Sequence, residues 1–238
     1  MGIFFEILTR PLLNVLIVIY NLIPDFGVAI ILFTILIRLI LFPLHQKALK
    51  SQREMAELQP KLLKVKEEFK DDKQKQAEET MKIYKDHKIN PFAGIFAILI
   101  QLPIFIALFQ VLRTDFAKDT LTSLYDFIPD PGVINQSLFG LVDLAKASVV
   151  IAVLAGITQF IQAKLTSKWT PIPKTKGNNI GAMLQKNMLY FFPVLTFMIA
   201  LSFPAGLSLY WTTSNVFGVI QQWYMSKPKL EHKHGVSN

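Results

Sequence analysis

The sequence predicts an all-α polytopic membrane protein: a five-transmembrane-helix core with an N-terminal interfacial helix and a cytoplasmic helical hairpin. Three observations predict it. Of the 238 residues 52% are hydrophobic and the mean hydropathy is +0.38, above the ~45–50% apolar content usual in soluble domains. The apolar residues come in long blocks rather than at amphipathic spacing. The segments between the blocks differ in charge, and the difference alternates from one side of a five-span arrangement to the other.

Residues 1–24 are predicted to form an interfacial amphipathic helix on the outer side. Glu6, Arg10, Asn14 and Asn21 fall at spacings of 4, 4 and 7, which places them on one helical face. Pro11 would kink a spanning helix and is tolerable in an interfacial one. A cleaved signal peptide is the competing reading, weakened by the missing basic leader and by Arg10 and Asn14 within the apolar run. The first span is residues 25–43. Between Asp25 and Pro43 lie 17 residues, at the lower limit of the ~17–25 that cross a bilayer. It carries Arg38, with Thr34 one turn before it. A guanidinium at such depth costs about 2.5–3.5 kcal/mol by insertion scales, and so demands water, a counter-charge or a polar lining.

Residues 44–90 change character, with 12 Lys+Arg and 9 Asp+Glu. Leu58, Leu62, Val65 and Phe69 form one narrow helical stripe, and Ala77, Met81 and Tyr84 another, around a polar turn at Asp71–Gln74. That pattern predicts an antiparallel cytoplasmic hairpin, with Pro60 bending or restarting the first arm. Span two is 91–112, with Gln101 mid-membrane. The 113–143 loop has 2 Lys+Arg against 5 Asp+Glu. Span three is 144–166, the basic loop 167–186, and span four 187–203. After Pro204-Ala205-Gly206 comes span five, within 204–225, and a short tail, 226–238. Residues 164–186 hold 5 Lys and no acid. Basic segments on one side and an acidic loop on the other put the N-terminus outside and the C-terminus in the cytoplasm.

The composition also excludes chemistry. With no cysteine there is no disulfide, thiolate metal site or Cys nucleophile. His45, His87, His232 and His234 all lie outside the apolar blocks, which argues against a membrane protease or metalloenzyme. No GxxxxGK[ST] loop occurs, so no nucleotide chemistry is expected. The expectation is a non-enzyme with no catalytic residue, no metal and no cofactor. The net charge of +8 fits cytoplasmic loops near anionic lipid rather than sequence-specific nucleic acid.

No acidic residue lies in any span, so Arg38 must be met by amide, hydroxyl and water oxygens, or else snorkel to the cytoplasmic face. Gln159 and Gln162 share a face of span three, and Ser208, Trp211 and Asn215 follow one stripe of span five beside Tyr210. A hydrated concavity lined by three helices would collect them. Taken singly, each Gln or Thr is also explained by an interhelical hydrogen bond.

The run TILIRLILFPL, then LQPKL, NPFAGIFAILIQLPIF, LAGITQF and FPAGLSLYWTTSNVFGVIQQ closely resembles the YidC family of membrane protein insertases, which includes the mitochondrial Oxa and chloroplast Albino insertases. The resemblance covers nearly the whole chain, in order. It implies an insertase and membrane chaperone of a bacterial cell membrane, with a positively charged, hydrated groove open to the cytoplasm and to lipid. Arg38 matches the groove arginine, Thr34 the polar residue one turn before it, and Tyr210 and Trp211 the aromatic pair of the last span. Which of Gln159 and Gln162 faces the groove stays open. Residues 44–90 match the family's mobile hairpin and 3–20 its interfacial helix. The implied substrate-binding set is Arg38, Thr34, Gln101, Gln159, Gln162, Ser208, Tyr210, Trp211 and Asn215. The implied partners are newly made membrane proteins and anionic lipids, with the Sec translocon and the ribosome as further candidates. Three departures stand out: no large outer-side domain before the first span, no lipobox cysteine, and no long basic tail for ribosome tethering. The rival class is a small transporter with Arg38 as an anion site. Against it, the sequence shows no pair of repeats and no Gly-rich filter.

Overall fold

In a computed structural model of the protein, the described residues are 2–90, 93–113, 123–169 and 180–226. Half of the sequence-predicted basic loop lies outside them, as do the tail beyond Ser226 and part of the loop after span two.

The first helix opens with a π-turn, Phe5–Thr9, and continues as α1, Arg10–Leu22. Pro11 sits at the very start of α1, next to the change of helical pitch, where a missing N–H is easily absorbed. Leu13, Leu16, Ile17 and Tyr20, at spacings of 3 and 4, are buried in the main core. The polar stripe has a different use from the one its spacing suggests. Asn14 is buried, donating to the carbonyls of Arg10 (2.7 Å) and Ser123 (3.1 Å) and accepting from the Tyr125 N–H (2.8 Å). Arg10 also donates to the Ser123 carbonyl, and Asn21 to that of Pro129. The stripe binds the backbone of a loop, whose buried polar groups need partners as much as the side chains do.

Helix α2, Phe26–Ile40, starts at Asp25, whose carboxylate caps it by accepting from the Val28 N–H at 2.9 Å. It stops at Leu41 and meets α3, Phe42–Glu68, at a bend of 63°. Pro43 lies in the first turn of α3. Its ring fits that turn but cannot continue the preceding helix, because it lacks an N–H for the carbonyl four residues back. Pro60 neither ends nor restarts the helix: α3 runs through it, with Pro60 on an exposed face. Helix α4, Lys73–Asp86, returns after a cap in which Asp72 accepts from the Lys75 N–H. The arms touch through Lys61 with His87 (2.8 Å) and the Gln76 amide donating to the Lys66 carbonyl (3.2 Å).

Helix α5, Ala93–Arg113, contains Pro103. The following loop forms a two-strand hairpin, β1 Ser137–Leu138 antiparallel to β2 Val142–Asp143, with Ser137 opposite Asp143 and Leu138 opposite Val142. Helices α6, Val149–Trp169, α7, Ile180–Ser202, and α8, Ala205–Ser226, complete the described elements. Small residues bring α6 and α7 together: Ala152, Ala155 and Ala200 are buried beside Phe197, and a Cβ on Gly156 would lie 3.3 Å from the Phe197 Cβ. The main core joins α1, α2, α5 and α8 through Leu16, Phe33, Leu108 and Leu207, among others.

Among the described residues, Phe5–Leu22 and Val149–Ser167 are long and apolar enough to cross a membrane. The bent pair α2–α3 makes a third candidate if counted as one span, and Gln101–Leu112 and Leu189–Ser202 are shorter apolar helices. The first of these covers the segment whose polar face suggested an interfacial helix.

Candidate functional site

The end of α2 supplies the site's charge. Arg38 lies in its last turn, where a cation meets the negative end of the helix dipole. The bend at Leu41 then folds α3 back so that His45, seven residues on, reaches the same space. The Arg38 Nε donates to the Ser214 hydroxyl of α8 at 3.3 Å, and Nη1 lies 3.5 Å from the His45 Nε2. Arginine has no acceptor, so that His45 nitrogen accepts and the ring is neutral with its proton on Nδ1. His45 lies beyond the bend, in the first turn after Pro43. Burial, and then the Arg38 charge, lower its pKa from 6.5 to about 4. None of the five ion pairs among the described residues involves Arg38.

Arg38 and His45 open onto a cavity of about 800 Å³. Its walls come from α3 (Gln52), α5 (Gln101, Phe105), α6 (Gln159, Gln162, Thr166), α7 (Leu189, Phe192) and α8 (Tyr210, Trp211, Ser214, Asn215, Gln222). Both third-span glutamines line it. Gln159 accepts from the Trp211 indole N–H at 3.1 Å. The amide of Gln162 lies over Gly218, where an added Cβ would come within 2.5 Å of its Nε2. The Asn215 amide donates to the Thr158 hydroxyl at 3.4 Å, and that of Gln222 to the Thr166 hydroxyl at 2.8 Å. These bonds form a polar ladder between α6 and α8 beside the cavity. Gln101 donates to the Tyr210 hydroxyl, and the Trp211 ring meets Phe105 edge-on at 5.8 Å.

Seven of the nine residues singled out from the sequence therefore share one cavity. Thr34 and Ser208 do not line it. The Thr34 hydroxyl, fully buried, donates back to the Ile30 carbonyl at 2.6 Å, and Ser208 donates to the Ala200 carbonyl at 3.3 Å. A short hydroxyl in a helix often satisfies itself on the preceding turn, which is why one-turn spacing from Arg38 did not bring Thr34 into the lining. Sequence reasoning missed His45, Gln52 and Ser214. Ser214, four residues after Tyr210, was visible as a helical neighbour. His45 was hidden behind Pro43.

The arrangement can do one thing well. A cation, Arg38, set among amide and hydroxyl groups and aromatic faces, offers an electrostatic attraction for an anionic group.

A family model described as 60Kd inner membrane protein matches residues 18–233. The chain belongs to this family, that of the YidC insertases. The membrane protein insertase YidC of Fusobacterium nucleatum is 39% identical over 203 residues, covering 85% of this chain and 87% of that one. The YidC of Nitratidesulfovibrio vulgaris is 34% identical over 226 residues, 93% of this chain but 39% of its own length. A crystal structure of an active YidC insertase, with the first transmembrane domain resolved, is similar with a TM-score of 0.59 and 26% identity. The likeness covers 95% of this chain and 47% of that one. The chain thus spans most of one YidC relative and less than half of others. With its apolar helices, it is a bacterial membrane protein of YidC type.

Proposed function

We propose that this chain is a membrane protein insertase and chaperone that works through a hydrated, positively charged groove. The observation that carries the reading is Arg38, opening with its neutral neighbour His45 onto a polar-lined cavity and meeting no carboxylate among the described residues. In this reading Arg38 holds water part-way into the bilayer and attracts acidic residues of a client's short translocated segment. That shortens the path through hydrocarbon. The client's apolar helix then leaves sideways along α6 and α8, driven by its own transfer free energy. The five spans are α2, α5, α6, α7 and α8, with α1 on the outer side, the α3–α4 hairpin and the tail in the cytoplasm, and newly made membrane proteins as clients. Anionic lipids sit against the basic hairpin, and the Sec translocon and the ribosome are further partners.

The test is reconstitution in liposomes with a single-spanning client that has an acidic translocated tail. Arg38→Ala is expected to abolish insertion and Arg38→Lys to retain part of it. Full activity of Arg38→Ala on that client would reject the electrostatic role.

A further inference from the structure

The loop that follows α5 carries a feature that neither the core nor the cavity uses. Its β1–β2 hairpin turns through Phe139 and Gly140, both at positive φ (+53° and +69°), and closes with the Leu141 N–H donating to the Leu138 carbonyl at 3.0 Å. Two successive left-handed residues make the turn that favours Asn-Gly. A phenylalanine there is strained, and yet its side chain is 69% exposed, with Leu141 beside it 85% exposed. Strain held at a residue that contributes nothing to packing points to a use outside the fold.

The turn is held firmly. The Phe139 N–H donates to the Asp25 carboxylate that caps α2, and Leu138 packs on Gly27, where even a Cβ would come within 2.4 Å. The Leu144 N–H donates to the Gln136 carbonyl at 2.8 Å, and the Ala205 N–H at the start of α8 to the Lys146 carbonyl at 2.8 Å. The hairpin therefore sits at the ends of α2 and α8 and leads directly into α6, a helix long and apolar enough to cross a membrane. Val149 and Val150, which begin α6, are 64% and 65% exposed. Exposed apolar side chains thus occur at the turn and again at the first residues of α6. The nearest cation in sequence, Lys146, is already paired with Asp143 at 2.8 Å, so an apolar partner fits this tip better than an anionic one.

From these observations we propose that the β1–β2 turn is a membrane anchor, with Phe139 and Leu141 inserted in the headgroup–acyl boundary of the leaflet at this end of the bundle. Aromatic and aliphatic side chains at that depth trade water for lipid while the hairpin backbone keeps its own hydrogen bonds. The anchor would hold the ends of α2, α6 and α8 at one level.

The chain has no cysteine, so single nitroxide labels can be placed at Phe139→Cys, Leu141→Cys, Val150→Cys and Asp130→Cys. The full chain is reconstituted in phosphatidylcholine vesicles and, separately, in phosphatidylethanolamine/phosphatidylglycerol vesicles. Collision rates with oxygen and with a water-soluble nickel complex are then compared. Labels at 139 and 141 are expected to favour oxygen as the label at 150 does, equally in both lipids and in high salt, while 130 favours nickel. Phe139→Asn, which suits the turn, should keep the hairpin and shift the 141 label several-fold toward water. Nickel-favouring labels at 139 and 141 would overturn the proposal. So would oxygen preference that appears only at high protein density with spin–spin broadening, the mark of a second copy on the tip.

Discussion

Replacing Arg38 by Gln should raise the pKa of His45, and the size of the rise measures how wet the cavity is. The two side chains approach to 3.5 Å. Unit charges that far apart interact by about 1.2 kcal/mol in a water-like dielectric of 80 and about 4.7 kcal/mol at an effective 20. At 1.36 kcal/mol per pKa unit these correspond to shifts of about 0.9 and about 3.5 units. His45 lies about 2.5 units below its ordinary 6.5, and burial is the larger cause. The Arg38 charge is therefore the smaller of the two causes, and its removal should undo only the lesser part of the lowering. The expected result in Arg38→Gln is a modest rise that stops short of the ordinary 6.5. The sign follows from the charge: the folded state favours neutral imidazole, so any stability linked to His45 is complete above pH 6.5 and lost as pH falls toward 4. Imidazole NMR titration in lipid nanodiscs reads the value directly, with His45→Asn assigning the resonance. A rise of two units or more would mean a dry pocket and would refute the hydrated groove. No rise would mean that the two groups do not meet.

Two stability predictions test the scaffold around the site. Asn14→Leu removes the partner of the Tyr125 N–H and one of two donors to the Ser123 carbonyl. Orphaning such groups costs about 1–3 kcal/mol, so hydrogen exchange at the Tyr125 amide should quicken by roughly 5–150-fold. Unchanged protection would show that Asn14 does not hold the loop. Gly27→Ala puts a methyl against Leu138, including its Cα at 3.0 Å, whereas Gly218→Ala meets the movable end of Gln162. Thermal unfolding in detergent should show about 1–3 kcal/mol lost for the first, partly recovered by Leu138→Ala, and under about 1 kcal/mol for the second. Equal losses would contradict this distinction between rigid and flexible neighbours.

Helix positions were legible because apolar blocks and charge runs are long compared with any local ambiguity. Helices α3 and α4 lie where the two stripes were read, but Ala77 and Met81 of the second stripe are exposed. Side-chain use was legible only where geometry left one choice. Gln101, Gln159, Gln162, Tyr210, Trp211 and Asn215 gather with Arg38 because each lies on an inward face of its helix. The choice between lining and interhelical bonding proved a false one for Gln159 and Asn215, which do both. His45 was illegible because its place depends on a 63° bend, and a linear helical wheel cannot be drawn through a proline break. The polar face of α1 was legible as a face but not in its partners. A polar stripe says that partners exist, and water, headgroups and loop carbonyls satisfy it equally.

The lengths of the helices explain why the cation can sit where it does. Helix α2 has 15 residues and α6 has 21, so at 1.5 Å per residue they reach roughly 22 Å and roughly 31 Å. The β1–β2 hairpin holds the start of α2, through Leu138 on Gly27 and Asp25 on the Phe139 N–H, and the chain then runs on into α6. Helix α2 is thus shorter than α6 by roughly 9 Å, and it stops where the chain bends away by 63°. Arg38 is two residues from that stop. It is close to the end of its own helix, where exposed carbonyls favour a positive charge. A charge at the middle of a full-length helix would carry the whole cost of mid-bilayer burial. A charge at the end of a short one is met by the last carbonyls of its own helix, by the Ser214 hydroxyl and by a neutral imidazole.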